Sequence, residues 1–508
     1  MASKSDIWSQ NVSTPLSRSG QEEGEGMETR GETDSTVQAS RIFECANGMS
    51  GLLGPARPGE TWKALHSPVW RLFQYDHGSF LLHVPSSTVV EVDEGTARFV
   101  ATTLSPGSSA GDVGSEEFSK DEEADYREAL AELDQSMPKT QERKVTVDIS
   151  ALSLNMAQGC NLRCTYCFAG EGDYGVKGMM SFETAKKAIQ LLSEGKKSFH
   201  LIFFGGEPLL NFSVIEKIVS WTKTLPCQFT YAITTNGTLL NEEKIKWMND
   251  HDFAVTISYD GKGVHAKNRL NKDKVSNSEA LVAKKLKTFE AQLQQLKSFR
   301  LRSTITRDVL DGTEEALFDT LNSYGYRLSV ARHADSSSRL AFTLEDIDKL
   351  SGMISRIVDS LLQAQDYEKL KKFEVVMGFV RSIHRRKTRQ LSCGAGVNYL
   401  TVSVEGSFHL CHRFNEEQTE MYGSIHEGVR YDNLKEIVEV RSAQREPCKS
   451  CAVREFCAGG CFHEHKLAHG SKFVLDETFC RLLGSEILIA FRVYSFLAKN
   501  APQILEEM

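Results

Sequence analysis

VTVDISALSLNMAQGCNLRCTYC, residues 145 to 167, runs from an apolar stretch into three cysteines spaced C-x₃-C-x₂-C. The apolar half reads as a buried strand. The other half gathers three soft thiolates, a donor set suited to zinc or to an iron–sulfur centre. A structural zinc wants four protein ligands, and this loop is one short. Either a distant His completes a zinc site, or Cys160, Cys164 and Cys167 hold three irons of a cubane whose fourth iron takes a small molecule.

Downstream of this loop the pattern repeats as strand then helix. SFETAKKAIQLLSEG (181–195) is predicted helical, with Ser181 as N-cap and Ala185, Ala188, Ile189 and Leu192 on one face. FHLIFF, FTYAITTNG, FAVTISYDG, LRSTITRD and RLSVARHA supply further strands. Six such units in under 200 residues imply a parallel sheet, open or curved into a partial barrel. Ligands in such folds sit at the carboxyl ends of strands. The cysteine loop, GGEP (205–208), TTNG (234–237) and SYDG (258–261) all fall at those ends.

Composition sets the surroundings. The chain has 508 residues, a net charge of −8 and 12 cysteines. Its length allows several domains, and its charge gives no reason to expect nucleic acid. The basic run RSIHRRKTRQ (381–390) reads as a solvated helix face. Neither a membrane span nor an apolar signal segment is evident, so a cytoplasmic protein is expected. Cysteines clustered in such a chain point to metal rather than disulfides. Cys45 and Cys227 stand apart and read as inert thiols. Residues 1–60, rich in Ser, Gly, Glu and Thr, are expected to be a disordered tail.

CNLRCTYC followed by FFGGEPLL resembles the paired motifs of the radical S-adenosylmethionine (SAM) enzymes. The resemblance implies a partial (β/α)6 barrel, an α/β fold over 141–340, in which the 160–167 loop carries a [4Fe–4S] cluster that chelates SAM. It also implies SAM contacts from Gly205, Gly206 and Glu207, with Asn236 and Ser258 near the ribose and methionine. Reductive cleavage of SAM would give a 5′-deoxyadenosyl radical, with the electron coming from an external donor such as a flavodoxin or ferredoxin. Arg302 and Arg332 are candidates for the SAM carboxylate, though surface or ion-pair roles fit them better. Asp260, Glu207 and several histidines compete as general base.

The seven remaining clustered cysteines resemble a SPASM domain over 393–485, which carries two auxiliary [4Fe–4S] clusters. By position, Cys448, Cys451, Cys457 and Cys480 would ligate the outer cluster, and Cys393, Cys411 and Cys461 the inner one. The inner set lacks a fourth cysteine; its last iron would be open to a substrate thiolate or take another ligand such as His384. His409, His412, His463 and His465 flank these cysteines and read as surface or supporting residues. Bridging helices are expected over 341–392 and a terminal helix over 486–508.

CTYCFAGEGDYGVKGMMSFETAKKAI resembles maturases that form thioether cross-links in ribosomal peptides. In those enzymes an N-terminal extension recognises a leader peptide, and residues 61–140 here suggest such a small α+β domain. The expected activity is therefore radical SAM modification of a peptide bearing a leader segment, with Cys thioether formation as product. The alternatives are oxidation of Cys or Ser to formylglycine, as in anaerobic sulfatase maturases, and a non-enzymatic iron–sulfur redox protein.

Overall fold

The computed structural model describes residues 62–63, 70–75, 77–103, 118–138, 145–314, 316–318, 327–330, 340–389, 391–415, 418–440, 448 and 451–508. The expected tail over 1–60, Cys45 and Arg332 lie outside the described residues. Two compact units divide the chain, the first reaching Pro138 and the second running from Lys139 to Met508.

The first unit is an antiparallel sheet in the order β1 (Trp62–Lys63), β2 (Trp70–Tyr75), β3 (Gly78–His83) and β4 (Thr88–Val92). Helices α1 (Glu94–Thr103) and α2 (Lys120–Ser136) follow. Trp70, Leu72 and Leu81 pack with Ala97, Phe99, Val100 and Leu133 as the core. The acidic stretch KDEEAD (120–125) opens α2. Ser119 and Glu122 close a reciprocal capping box there, which offsets the loss of backbone partners at the helix start.

The second unit holds the parallel sheet. Its strands are β5 (Ala151–Gln158), β6 (Ser198–Gly205), β7 (Gln228–Thr235), β8 (Ala254–Ser258), β9 (Ser298–Ile305) and β10 (Arg327–Val330). They lie side by side in chain order and all six run parallel. Helices α3 (Phe182–Ser193), α4 (Phe212–Thr222), α5 (Glu242–Asp250) and α6 (Glu279–Thr288) connect most of them. The first strand starts at Ala151 rather than 145. Backbone N–H groups of Asp148 and Ser150 donate instead to Val397 and Asn398, so this segment is held outside the ladder.

Alternation along the strands separates two faces. Leu201, Phe203, Ile233, Val255 and Ile257 are buried with the apolar helix faces. The residues between them, Phe204, Thr234, Ser258, Arg302 and Thr304, line a cavity on the other face.

Beyond β5 the sheet continues through β11 (Tyr399–Val402), β12 (Ser407–His409) and β13 (Met421–Ser424). Helices α7 (Leu344–Gln363) and α8 (Glu374–His384) pack on the long helix α10 (Glu477–Asn500), with α9 (Tyr431–Glu439) between α8 and α10 in chain order. The terminal helix expected from 486 thus starts at Glu477. Asp476 caps it by accepting from the Phe479 N–H, and the helix runs on through buried Gly484.

Candidate active site

The three cysteines of the 160–167 loop meet in one cavity at the carboxyl ends of the parallel strands. Its lining includes Cys160, Cys164, Cys167, Gly205, Gly206, Asn236, Ser258 and Arg302, and its empty volume is about 1120 Å³ with its open mouth included. Cys160 Sγ receives the Leu162 N–H at 3.4 Å and the Asn236 side-chain amide at 3.7 Å. N–H groups of Ala169 and Gly172 reach Cys167. These donors face sulfurs that would carry negative charge as ligands, which is the polarity a thiolate centre needs.

The GGE turn is packed so closely that only glycine fits. A Cβ at Gly206 would overlap the carbonyl oxygens of Gly159 and Gly172, and Gly205 sits at φ +133. These are backbone atoms on both sides, so the turn locks strand β6 against the cysteine loop. The Glu207 carboxylate is turned away from the cavity. It accepts from Thr235 Oγ1 at 2.6 Å, Asn236 N at 2.7 Å and Leu209 N at 3.0 Å. Burial pushes its pKa up to about 7 against those hydrogen bonds. Glu207 therefore braces the end of β7, while its two neighbours border the cavity.

Asn236 lies beside the loop, its amide shared between Cys160 and Asn161 and its oxygen accepting from Thr238. Asp260 is wholly buried and fully engaged. Arg269 donates to it twice, at 2.8 and 3.1 Å; the Thr304 N–H donates at 2.9 Å, and the Tyr166 hydroxyl completes the set. Arg269 also pairs by backbone with Cys164 and lies 5.5 Å from the Tyr166 ring centre. This ion pair anchors the cysteine loop from beneath, and a carboxylate so occupied is no general base.

The segment after β12 enters the same cavity. His412 and Arg413, directly after Cys411, are among its lining residues. The His412 ring lies 4.1 Å from Phe204 and 5.9 Å from Phe168, and the Arg413 guanidinium lies 5.4 Å from the Phe168 ring. Arg413 pairs with Glu464. Arg269, Arg302 and Arg413 all reach the lining, with Arg269 held by Asp260 and Arg413 by Glu464. The four flanking histidines are not surface residues: His409, His463 and His465 are buried and His412 half-buried. His465 Nδ1 accepts from the Asp476 N–H, so its Nε2–H donates to the Gly459 carbonyl. This fixes it as a neutral brace.

Burial first, and then the neighbouring Cys451 and Cys448, push the Cys457 thiol up to about 12, and the N–H groups of Gly459 and Gly460 reach its sulfur. Cys480 lies in the first turn of α10. Cys393 and Cys461 are neighbours of Cys411 and form a second group with it. Among the described residues no three His, Cys, Asp or Glu side chains close round a single-ion centre. Cys227 is buried and outside both groups. His384 sits 6.3 Å from the Tyr494 ring.

Residues 154–291 match the Radical SAM superfamily model. The chain carries a radical SAM domain. It is 42% identical over 112 residues to an uncharacterized protein of Methanocaldococcus jannaschii, covering 22% of this chain and 38% of that protein. A radical SAM cyclopropyl synthase, TigE, of Paramaledivibacter caminithermalis is 21% identical over 66% of this chain and 72% of its own length. A cysteine-type anaerobic sulfatase-maturating enzyme of Clostridium novyi is 32% identical over 25% of this chain and 36% of its own. The first and third alignments thus span under two fifths of those relatives. The solved structure of native anSMEcpe with bound AdoMet superposes with a TM-score of 0.57 at 19% identity, over 69% of this chain and 99% of that one. That agreement is one of fold, and it extends well past residue 291 of the radical SAM domain. The domain implies SAM and a [4Fe–4S] cluster. Among the described residues no helix is long and apolar enough to cross a membrane.

Proposed function

We propose that this protein modifies a ribosomally made peptide by radical SAM chemistry, joining a Cys sulfur to a carbon as a thioether. One observation carries the reading: His412 and Arg413, beside Cys411, line the same cavity as Cys160, Cys164 and Cys167. A substrate held there lies between the SAM site and the inner group of SPASM cysteines. In this reading Cys160, Cys164 and Cys167 hold the SAM-binding cluster, Gly205, Gly206, Asn236 and Ser258 border the SAM, and Arg302 offers its cation to the SAM carboxylate. Cys448, Cys451, Cys457 and Cys480 hold the outer auxiliary cluster, and Cys393, Cys411 and Cys461 the inner one. Bound there, these groups supply hydrogen-atom abstraction, an iron site for a thiolate and a route for the surplus electron.

The chain's own residues bind, orient and exclude water. Phe168 and Phe204 bring aromatic surface to the cavity beside His412. His412 is pushed down to about 3 by burial and by Arg413 and Arg302, so it is neutral at physiological pH. The four-stranded sheet of the first unit would take a leader peptide as an added strand on its β4 edge. An external flavodoxin or ferredoxin would reduce the SAM cluster in the cytoplasm.

The likeness to TigE over most of its length favours a second reading, in which two hydrogens are lost to form a cyclopropane. Formylglycine formation is the third. Anaerobic turnover with a Cys-containing precursor peptide separates them. Thioether formation removes two hydrogens and one alkylatable thiol. A cyclopropane removes two hydrogens and leaves the thiol. Formylglycine made from Cys replaces sulfur with oxygen and reacts with hydrazines. A product with its thiol intact refutes the thioether.

A further inference from the structure

The basic run RSIHRRKTRQ (381–390) has no part in the reaction proposed above, yet it is more than a solvated helix face. Between Glu374 and Glu405 the chain carries five Lys and Arg residues and no acid, against a net charge of −8 overall. Helix α8 ends at His384, and four of those five cations lie beyond it. Arg385, Arg386, Lys387 and Arg389 are all exposed. Among the described residues none of the four is ion-paired, and Glu374 is taken up by Arg381.

The cap that ends α8 sets these side chains out. The Arg386 N–H donates to the Ile383 carbonyl at 3.0 Å and the Lys387 N–H to the Ser382 carbonyl at 2.8 Å, with Arg386 at φ +49. This is a Schellman cap, whose left-handed position favours glycine. The helix dipole favours cations at this end, but Arg385 and Lys387 meet the same field without a left-handed backbone. The dipole therefore does not explain an arginine at 386.

The run is also tied to both groups of SPASM cysteines. The Arg389 N–H donates to the Glu455 carbonyl at 2.7 Å, and Glu455 belongs to the one-turn helix Arg454–Cys457. The Ser392 hydroxyl donates to the carbonyl of Gly460, the residue before Cys461, and Cys393 follows directly. The Arg389 guanidinium lies 5.6 Å from the Phe379 ring of α8, which holds the run against its helix. The exposed cations thus border the segments that carry Cys393, Cys457 and Cys461.

Thioether formation has to release an electron. One hydrogen atom passes from the substrate carbon to the 5′-deoxyadenosyl radical, the thiol gives up its proton, the C–S bond forms, and one electron is left over. It equals the electron spent in cleaving SAM, so a one-electron carrier can take it back. We propose that Arg385, Arg386, Lys387 and Arg389 form the docking surface for a small acidic one-electron carrier protein. In its oxidised form the carrier collects this electron at the outer auxiliary group. Opposite charge steers such a partner to the cations, and salt screens the attraction. This inference rests on the reading that Cys448, Cys451, Cys457 and Cys480 carry a cluster.

Isothermal titration of the anaerobic holoprotein with oxidised flavodoxin tests the surface. The wild type is expected to bind one flavodoxin at low salt and to lose it as ionic strength rises. The double variant Arg385→Gln, Lys387→Gln is expected to bind on the order of tenfold more weakly. Arg386→Gly is expected to weaken binding too, while its iron stays full and its thermal midpoint does not fall, because glycine suits that backbone. No binding by the wild type overturns the proposal, and so does unchanged affinity in both variants. Tighter binding of duplex DNA or of phosphatidylserine vesicles at the same salt, lost in the same variants, overturns it by giving the surface another partner. Cys457→Ala tests the underlying reading separately and is expected to lose about four irons. If it keeps them, that reading fails and the proposal falls with it, whatever the titration shows.

Discussion

Asp260 and Arg269 form a buried ion pair under the cysteine loop, with side-chain exposures of 0% and 8%. Removing one charge from such a pair leaves the other uncompensated, typically at about 3–5 kcal/mol. Asp260→Asn is expected to lower the urea midpoint of the second unit and to release Tyr166, and with it Cys164 and Cys167. Iron bound by the loop should fall with it, measured by iron content against the wild type. Gly206→Ala acts by crowding: the carbonyls of Gly159 and Gly172 are backbone and must move to admit the methyl. Anaerobic equilibrium dialysis is expected to show at least a tenfold loss of SAM affinity, about 1.4 kcal/mol. At this scale the sequence was readable where one residue type states its own need. Three close cysteines and a Gly-Gly turn announce a centre and a close approach. The Tyr166–Asp260–Arg269 set does not, because its members lie 94 and 9 residues apart and meet only through the fold.

Helix α10 contains a buried acid in an apolar face. Glu486 is 8% exposed among residues such as Ile487, Leu488 and Ile489, and burial alone raises its pKa from 4.5 to about 8. A raised carboxyl penalises the folded state as pH climbs. The penalty is absent below about 4.5, grows between 4.5 and 8, and is constant above that range. Glu486→Gln is therefore expected to leave thermal stability nearly unchanged at pH 5. At pH 8 it should stabilise by on the order of 4 kcal/mol. Equal shifts of the midpoint at both pH values would contradict this. Elements were legible where apolar periodicity was clean, as in α3 and the strands β6 to β8. Boundaries were less so. Helix α2 begins earlier than its apolar pattern, although Ser119 and Glu122 spell out a capping box, and α10 begins at the cap Asp476 rather than after Gly484.

Across the whole molecule, the parallel order of β5 to β10 followed from the strand–helix rhythm, since right-handed crossovers leave little choice. What the rhythm did not disclose is the continuation of that sheet through β11 to β13, which carries His412 and Arg413 to the cavity that holds Cys160. This join rests on the pairing of Leu152 with Leu400, residues remote in sequence. It makes two predictions about iron. The intact protein should bind about twelve irons per chain, four per cubane. Replacing Cys160, Cys164 and Cys167 together by Ala should remove about four and leave the auxiliary signals. The central claim is that the 160–167 loop binds SAM through an open iron, and one assay tests it most directly. Anaerobically reconstituted protein is reduced, given SAM, and assayed for 5′-deoxyadenosine beside a Cys160→Ala control. The account predicts 5′-deoxyadenosine and methionine in equal amounts from the wild type and neither from the control. No 5′-deoxyadenosine above the control, from protein carrying its full iron, would contradict it.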